Sequence, residues 1–371
     1  MKTIKLGNKE LKLPIIQGGM GVGISLGNLA GAVMKQGGMG VISAAHTGYR
    51  DPNFKADPFG TSFAAIKEEA TLARKISCGA GLLAVNVMVA GNKYTEYIKS
   101  CVDAKVDAII SGAGLPLELP KLVEGSDVLI APIVSSGRAA SLICKVWTKR
   151  YNRIPDFIVV EGSEAGGHLG FKKDELLSHT TQALKDIVKD VKAAIEPFIT
   201  EYKKHIPVFA AGGIFTGTDI ANIIEEGADG VQMGTRFIGT HECDASDAYK
   251  QYFIDAKKDD IVIVQSPAGM PGRAFENKLM KRVHDQEKIK INFCFNCLVP
   301  CKPAETPYCI TQALMEAVNG NVDEGLIFTG TNGYRINKLV SVKELIEELV
   351  NEYNDAIGDK AKDSNYRMEV A

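Results

Sequence analysis

Eight short apolar runs, each followed by a glycine-rich turn and then by a helical stretch, narrow most what this chain can fold into. They lie at residues 14–17, 40–43, 82–87, 108–111, 128–134, 157–161, 208–211 and 230–233. Each is branched and apolar on both faces, as a parallel strand covered on both sides must be. Between them lie amphipathic stretches, clearest at residues 94–105 and 218–226, each with an apolar stripe and a charged face. Strands alternating with helices imply a parallel sheet, and eight such units fit closure into a TIM-type (β/α)8 barrel better than an open doubly wound sheet. The spacing assigns residues 1–238 and 306–371 to the barrel and residues 239–305 to a small, mostly helical inserted lid segment. That segment is read as a helix near 245–257, a turn-rich loop Ser266-Pro267-Ala268-Gly269-Met270-Pro271-Gly272, and a cysteine cluster. Helices are expected at 311–319 and 342–353, a charged tail after them, and a surface loop at 47–61.

In such a barrel the chemistry gathers at the C-terminal ends of the strands, so the residues just past each run carry the information. After the first comes Gln17-Gly18-Gly19-Met20-Gly21, where glycine lets backbone approach a flat ligand; the plain alternative is a tight turn. Asn86 ends the third run and can cap a helix or bond a ring edge. Ser111-Gly112-Ala113-Gly114 follows the fourth. The sixth leads into Glu161-Gly162-Ser163-Glu164-Ala165-Gly166-Gly167-His168-Leu169-Gly170. A histidine embedded in glycine has no apolar helix face to pack on, and imidazole titrates near neutrality, which suits proton abstraction from a weak carbon acid. Ala211-Gly212-Gly213-Ile214 and Gln232-Met233-Gly234-Thr235-Arg236 follow the seventh and eighth runs. Glycine-lined loops in those two positions form the usual phosphate site of these barrels, which calls for a phosphorylated ligand without saying which.

At these residues the sequence resembles the nitronate monooxygenase family (formerly 2-nitropropane dioxygenases), which is related to FMN-dependent enoyl-acyl-carrier-protein reductase II. The matches are QGGMG, Asn86, GSEAGGHLG, AAGGI and QMGTRF, in the family's order and spacing. The resemblance implies FMN on a TIM barrel, with His168 as the catalytic residue. It places the cofactor on Gly18, Gly19 and Met20, on Asn86, and on Glu161, Gly166 and Gly167. Gly212 and Gly213, then Gln232, Met233, Gly234 and Thr235, complete the set. The implied activity is oxidation of alkyl nitronates with O2. The alternative is an NAD(P)H-dependent enoyl-thioester or quinone reductase on the same barrel. Glu161 tilts towards that alternative, because the family's monooxygenases commonly have Gln there and the reductases Glu; the cysteine-rich insertion is unlike the usual reductase lid. A flavin- or metal-binding sensor without turnover is a third reading, and His168 argues against it.

The cysteine run Cys294-x2-Cys297-x3-Cys301-x7-Cys309 is tight enough to ligate zinc or an iron–sulfur cluster. The plain reading is free thiols that pack the insertion as modest hydrophobes. Cys78, Cys101, Cys144 and Cys243 are isolated and are expected to be buried rather than reactive. Trp147 is expected in packing, and His46 as a loop residue that could face the site. Gly330-Thr331-Asn332-Gly333 is a candidate loop over the flavin. The net charge of -2 carries no basic field for nucleic acid. The chain has neither a signal-peptide apolar region nor a membrane-length apolar run, so a cytoplasmic enzyme acting on a small-molecule substrate is expected. A homodimer is its candidate assembly.

Overall fold

Strands that are apolar on both faces need cover on both faces, and the chain provides it by closing its sheet. The structure is a computed structural model that describes the backbone of residues 1–370 and the side chains of residues 1–358. A short antiparallel hairpin, β1 (Ile4–Leu6) and β2 (Lys9–Leu11), opens the chain. The barrel strands then follow: β3 (Ile15–Gln17), β4 (Met39–Ser43), β5 (Leu82–Met88), β6 (Ala108–Gly112), β7 (Leu129–Val134) and β8 (Ile158–Glu161). After a two-residue strand, β9 (Gly167–His168), come β10 (Val208–Ala211) and β11 (Gly230–Met233). Eight of these pair in parallel into a closed barrel, β3-β4-β5-β6-β7-β8-β10-β11. The ring is sealed by Val231↔Ile15, Gln232↔Ile16 and Met233↔Gln17. All eight expected runs are barrel strands.

Successive side chains point to opposite faces. Ile16, Val41, Ala84, Ile110, Ala131, Val159 and Phe209 fill the barrel interior. Their neighbours Ile15, Ile42, Val85, Ile109, Ile130, Ile158 and Val208 pack outward under the helices. Leu6 and Leu11 join the interior cluster, so the opening hairpin plugs the barrel floor. Three aspartates brace the same end. Asp107, Asp156 and Asp229 accept the N–H of Leu83, Ile130 and Val208, each at 2.9 Å, and each Asp is also paired with a lysine: Lys9, Lys204 and Lys192 respectively.

The expected helices form at Tyr94–Asp103 and Gly217–Glu225, the second started by a capping box between Thr216 and Asp219. The expected 342–353 stripe begins the long helix Val342–Val370, which buries Leu345 and Leu349. Glu352 accepts the N–H of Gly217 at 2.6 Å, and Arg236 pairs with Glu348 at 2.8 Å. Most side chains of the charged tail lie outside the described residues. Trp147 is fully buried in helix Gly137–Tyr151, its Nε1 donating to Pro116 O at 3.0 Å.

Three readings change. The insertion carries helices Asp247–Asp255 and Lys278–His284, but also an antiparallel hairpin, β12 (Ile261–Gln265) and β13 (Pro271–Phe275). The Ser266–Gly272 stretch is the turn of that hairpin. The 47–61 segment is not a plain surface loop: Thr47, Tyr49 and Phe54 are buried, and helix Pro58–Ser77 has already begun. Cys78 is exposed, because it sits past the end of that helix with φ +51°, while Cys101, Cys144 and Cys243 are buried.

The interior packing predicts a stability effect. Phe209 is fully buried edge-on against Phe157, with ring centroids 5.6 Å apart. Phe209→Ala is expected to cost about 3–5 kcal/mol and to lower the thermal midpoint. The exposed Leu177→Ala should leave it unchanged, and equal midpoints for the two variants would contradict this assignment of the core.

Candidate active site

At the C-terminal mouth of the barrel lies a cavity of about 530 Å³, within the size range of small-molecule and cofactor sites. His168 and all thirteen residues expected around a cofactor line it, drawn from the C-terminal ends of β3, β5, β8, β10 and β11 and the loops that follow them.

One wall is built by close approach. The Gly18–Met20 turn runs between Asn86 and Gln232, and a Cβ on Gly19 would collide with Asn86. Asn86 Nδ2 donates to Ile110 O at 3.3 Å across the strand ladder, holding the amide at the cavity edge. A Cβ on Gly166 would strike the backbone of Thr329 and Gly330. The glycines here keep the room that a flat ring system needs.

The other end is a backbone cradle. Gly212 and Gly213 have φ +99° and +78°, conformations that side chains with a Cβ rarely adopt. A Cβ on Gly213 would meet the carboxylate of Glu164, an exposed residue on a flexible stem. The 330–333 loop closes over this end. Gly330 N–H donates to Thr235 Oγ1 at 3.0 Å, and Asn332 Nδ2 donates to Gly213 O at 2.7 Å.

His168 is held by the insertion. β9 pairs antiparallel with β13 through Gly272↔His168 and Arg273↔Gly167, so the β8 loop becomes the third strand of the lid sheet. The imidazole Nε2 lies 2.7 Å from Ser266 Oγ, and Phe328 packs edge-on against the ring at 5.1 Å. Arg273 donates to the carbonyls of Ser163 and Ala165, fixing the loop backbone. His168 and Glu161 both border the cavity and touch solvent there, but protein surrounds them on every other side. Burial lowers the imidazole to about 4. Burial also pushes the Glu161 carboxyl up to about 8, against the opposing pull of the Gly170 N–H and Arg273. At neutral pH the site therefore holds a neutral imidazole, able to take a proton, and a protonated carboxyl, able to donate a hydrogen bond.

Sequence reasoning missed Ser266, Met270, Arg273 and Phe328. Met270 and Phe328 line the cavity, while Ser266 and Arg273 act on its loop. Ser266, Met270 and the adjacent Arg273 had only the turn-rich stretch 266–272 as a signal, with nothing local to tie it to a loop a hundred residues earlier, and Phe328 had none. His46 does not face the site. It is buried edge-on against Phe54, beside Phe59 and Phe295, and burial lowers it to about 4. Cys294, Cys297, Cys301 and Cys309 are free and line a separate small cavity. No helix among the described residues is long and apolar enough to cross a membrane.

Comparison with known proteins places the chain in a family and a fold. The sequence model described as nitronate monooxygenase matches residues 2–352. The chain is 26% identical to a probable nitronate monooxygenase of Staphylococcus saprophyticus, over 96% of this chain and 98% of that protein. It is 28% identical to one from Staphylococcus aureus strain MSSA476, over 75% and 79%. Among solved structures, FabK from Thermotoga maritima superposes with a TM-score of 0.73 at 24% identity, covering 95% of this chain and 96% of that one. A nitroalkane oxidase from Streptomyces ansochromogenes gives 0.72 at 20%, covering 94% and 98%. These two structural likenesses speak to the fold.

The electrostatics predict how His168 titrates. In ring-labelled NMR spectra, assigned with His168→Gln, its resonance should stay that of neutral imidazole through pH 6 and move only towards pH 4. A midpoint near the ordinary 6.5 would show that the ring is not shielded by its loop.

Proposed function

The chain belongs to the nitronate monooxygenase family, and on that footing we propose that this oxidoreductase binds FMN in the barrel-mouth cavity and oxidises alkyl nitronates with O2. The observation that carries the reading is the pairing, in one cavity, of a glycine cradle with a neutral, lid-held His168. The residues fit the cofactor. Gly18, Gly19 and Met20, with Asn86, Glu161, Gly166 and Gly167, would border the ring system. Gly212 and Gly213, with Gln232, Met233, Gly234 and Thr235, would hold the ribityl phosphate end. Backbone N–H groups suit an anion there, and the exposed Glu164 side chain has room to swing away from it.

Bound FMN supplies the redox chemistry, and the protein supplies orientation and proton control. His168 accepts the proton from the carbon acid or orients the nitronate. Ser266 and Phe328 keep the ring in place while it does so. Protonated Glu161 donates a hydrogen bond into the cavity without adding a negative charge that would repel an anionic substrate. The hairpin turn at Met270 and the 330–333 loop form part of the cavity wall.

Glu161 also favours a second reading, an NAD(P)H-dependent reductase of an enoyl thioester or quinone, since a carboxyl held protonated is a ready proton donor to a reduced double bond. One pair of assays separates the two. The monooxygenase reading predicts oxygen uptake on a nitronate without NAD(P)H, and no anaerobic bleaching of the flavin by NADH or NADPH. Bleaching by NAD(P)H with no nitronate-driven oxygen uptake would establish the reductase instead.

Two variants test the residues. His168→Asn should retain FMN but lower turnover by about 10²-fold or more; unchanged turnover would remove His168 from the mechanism. Gly213→Val should lose FMN, because a branched side chain is strained at its φ of +78° and would fill the backbone cradle. Full flavin retention would move the phosphate site elsewhere.

A further inference from the structure

Between helices Lys278–His284 and Ile310–Val318, residues 285–309 form no helix or strand, only an isolated bridge from Leu298 to Gly91. So long an irregular segment is uncommon in a compact domain, and something ordinarily holds it in place. The segment contains half of the chain's eight cysteines. Cys294, Cys297, Cys301 and Cys309 all line one cavity of about 50 Å³, although the last is separated by seven residues from the third. None of the four is paired in a disulfide.

The backbone around them is shaped for sulfur. Asn296 takes a left-handed φ of +50°, which folds the chain back so that its N–H points at Cys294 Sγ, 3.4 Å away. Cys309 stands at the N-cap of helix Ile310–Val318, beside the free N–H groups of its first turn, with no side-chain cap bond in place. Backbone N–H groups aimed at sulfur are the outer hydrogen bonds that orient and tune thiolate ligands. The cluster is also anchored rather than trailing. Asn92 N–H donates to Cys297 O at 3.0 Å, Asn92 Nδ2 to Asn296 O at 2.7 Å, and Val299 N–H to Ala90 O at 2.9 Å. Those anchors lie just past β5, the strand that carries Asn86 and Met88 to the main cavity.

We propose that Cys294, Cys297, Cys301 and Cys309 form a tetrathiolate site for a thiophilic metal centre, zinc or an iron–sulfur cluster, that pins the 285–309 segment against the barrel mouth. Both centres take four thiolates, and both lie outside the chemistry assigned above to His168 and FMN. Among the described residues no three His, Cys, Asp or Glu side chains already converge as metal ligands. Binding therefore draws the four sulfurs inward from the cavity walls and releases their thiol protons, as expected where metal binding completes local folding. Leu298 and Ile310, which line the cysteine cavity, share an apolar cluster with Met88, Leu314 and Phe328, which line the main one. The centre would thus sit one layer of side chains from the active site.

The test uses the full chain, produced with iron and zinc both supplied and purified without oxygen. Metal and acid-labile sulfide are measured as purified, and again after reconstitution with zinc or with iron plus sulfide. The expected result is about one zinc per chain, or iron with matching sulfide. Cys297→Ser combined with Cys301→Ser should lower that content by about 10-fold or more, a loss of the size that even outer hydrogen-bond partners can cause. Cobalt added to the metal-free wild type provides a readout that does not depend on the variant folding, through thiolate-to-cobalt charge-transfer bands. Substoichiometric metal in folded wild-type protein under every condition, with no cobalt–thiolate bands, would overturn the proposal. Metal retained in full by a folded double variant would overturn it equally.

Discussion

The three backbone pairs that join β11 to β3 carry the rest of the architecture. Without them the sheet would be open, and its first and last strands would lie at opposite edges. With them, the Gly18–Met20 turn meets Gln232–Thr235 although more than 200 residues separate the two. The cavity is the product of that closure. A parallel ring sends every strand's C-terminal end to the same rim, so all eight barrel strands, or the loops after them, contribute to the lining of one pocket. The barrel floor shows the same logic from below, where a hairpin plug and three aspartate braces secure the opposite end.

On that rim the insertion does more than cover the site. The Gly167–His168 strand belongs to the lid sheet, so the lid and His168 are one hydrogen-bonded unit. Ser266 and Phe328 then restrict the ring from two sides. This geometry sets the electrostatics. A ring packed into a lid loses solvent, which favours its neutral form, while the neighbouring carboxyl is pushed towards its protonated form for the same reason. Burial thus favours the uncharged form of both groups at neutral pH.

The sequence made the barrel legible because two-sided burial leaves runs such as 82–87 and 208–211 with no polar face. The site glycines and His168 were legible because their positions follow from counting strands. The lid hairpin was not, for a physical reason. Its contact with His168 is a long-range antiparallel pairing, set by the barrel's geometry rather than by local pattern, and β12 is only half-buried. The 47–61 segment misled in the same way. It is rich in turn residues, yet Tyr49 and Phe54 fold back under neighbouring elements and pack in the core. The exposure of Cys78 depends on where helix Pro58–Ser77 ends, a boundary that periodicity does not locate.

The central claim is that the barrel-mouth cavity is a flavin site. The most direct measurement is the absorbance spectrum of the purified full chain, followed by release of the chromophore by denaturation and its identification by mass. The account predicts flavin bands and about one FMN per chain, either as purified or after incubation with FMN. A folded chain that neither carries nor takes up FMN would contradict it.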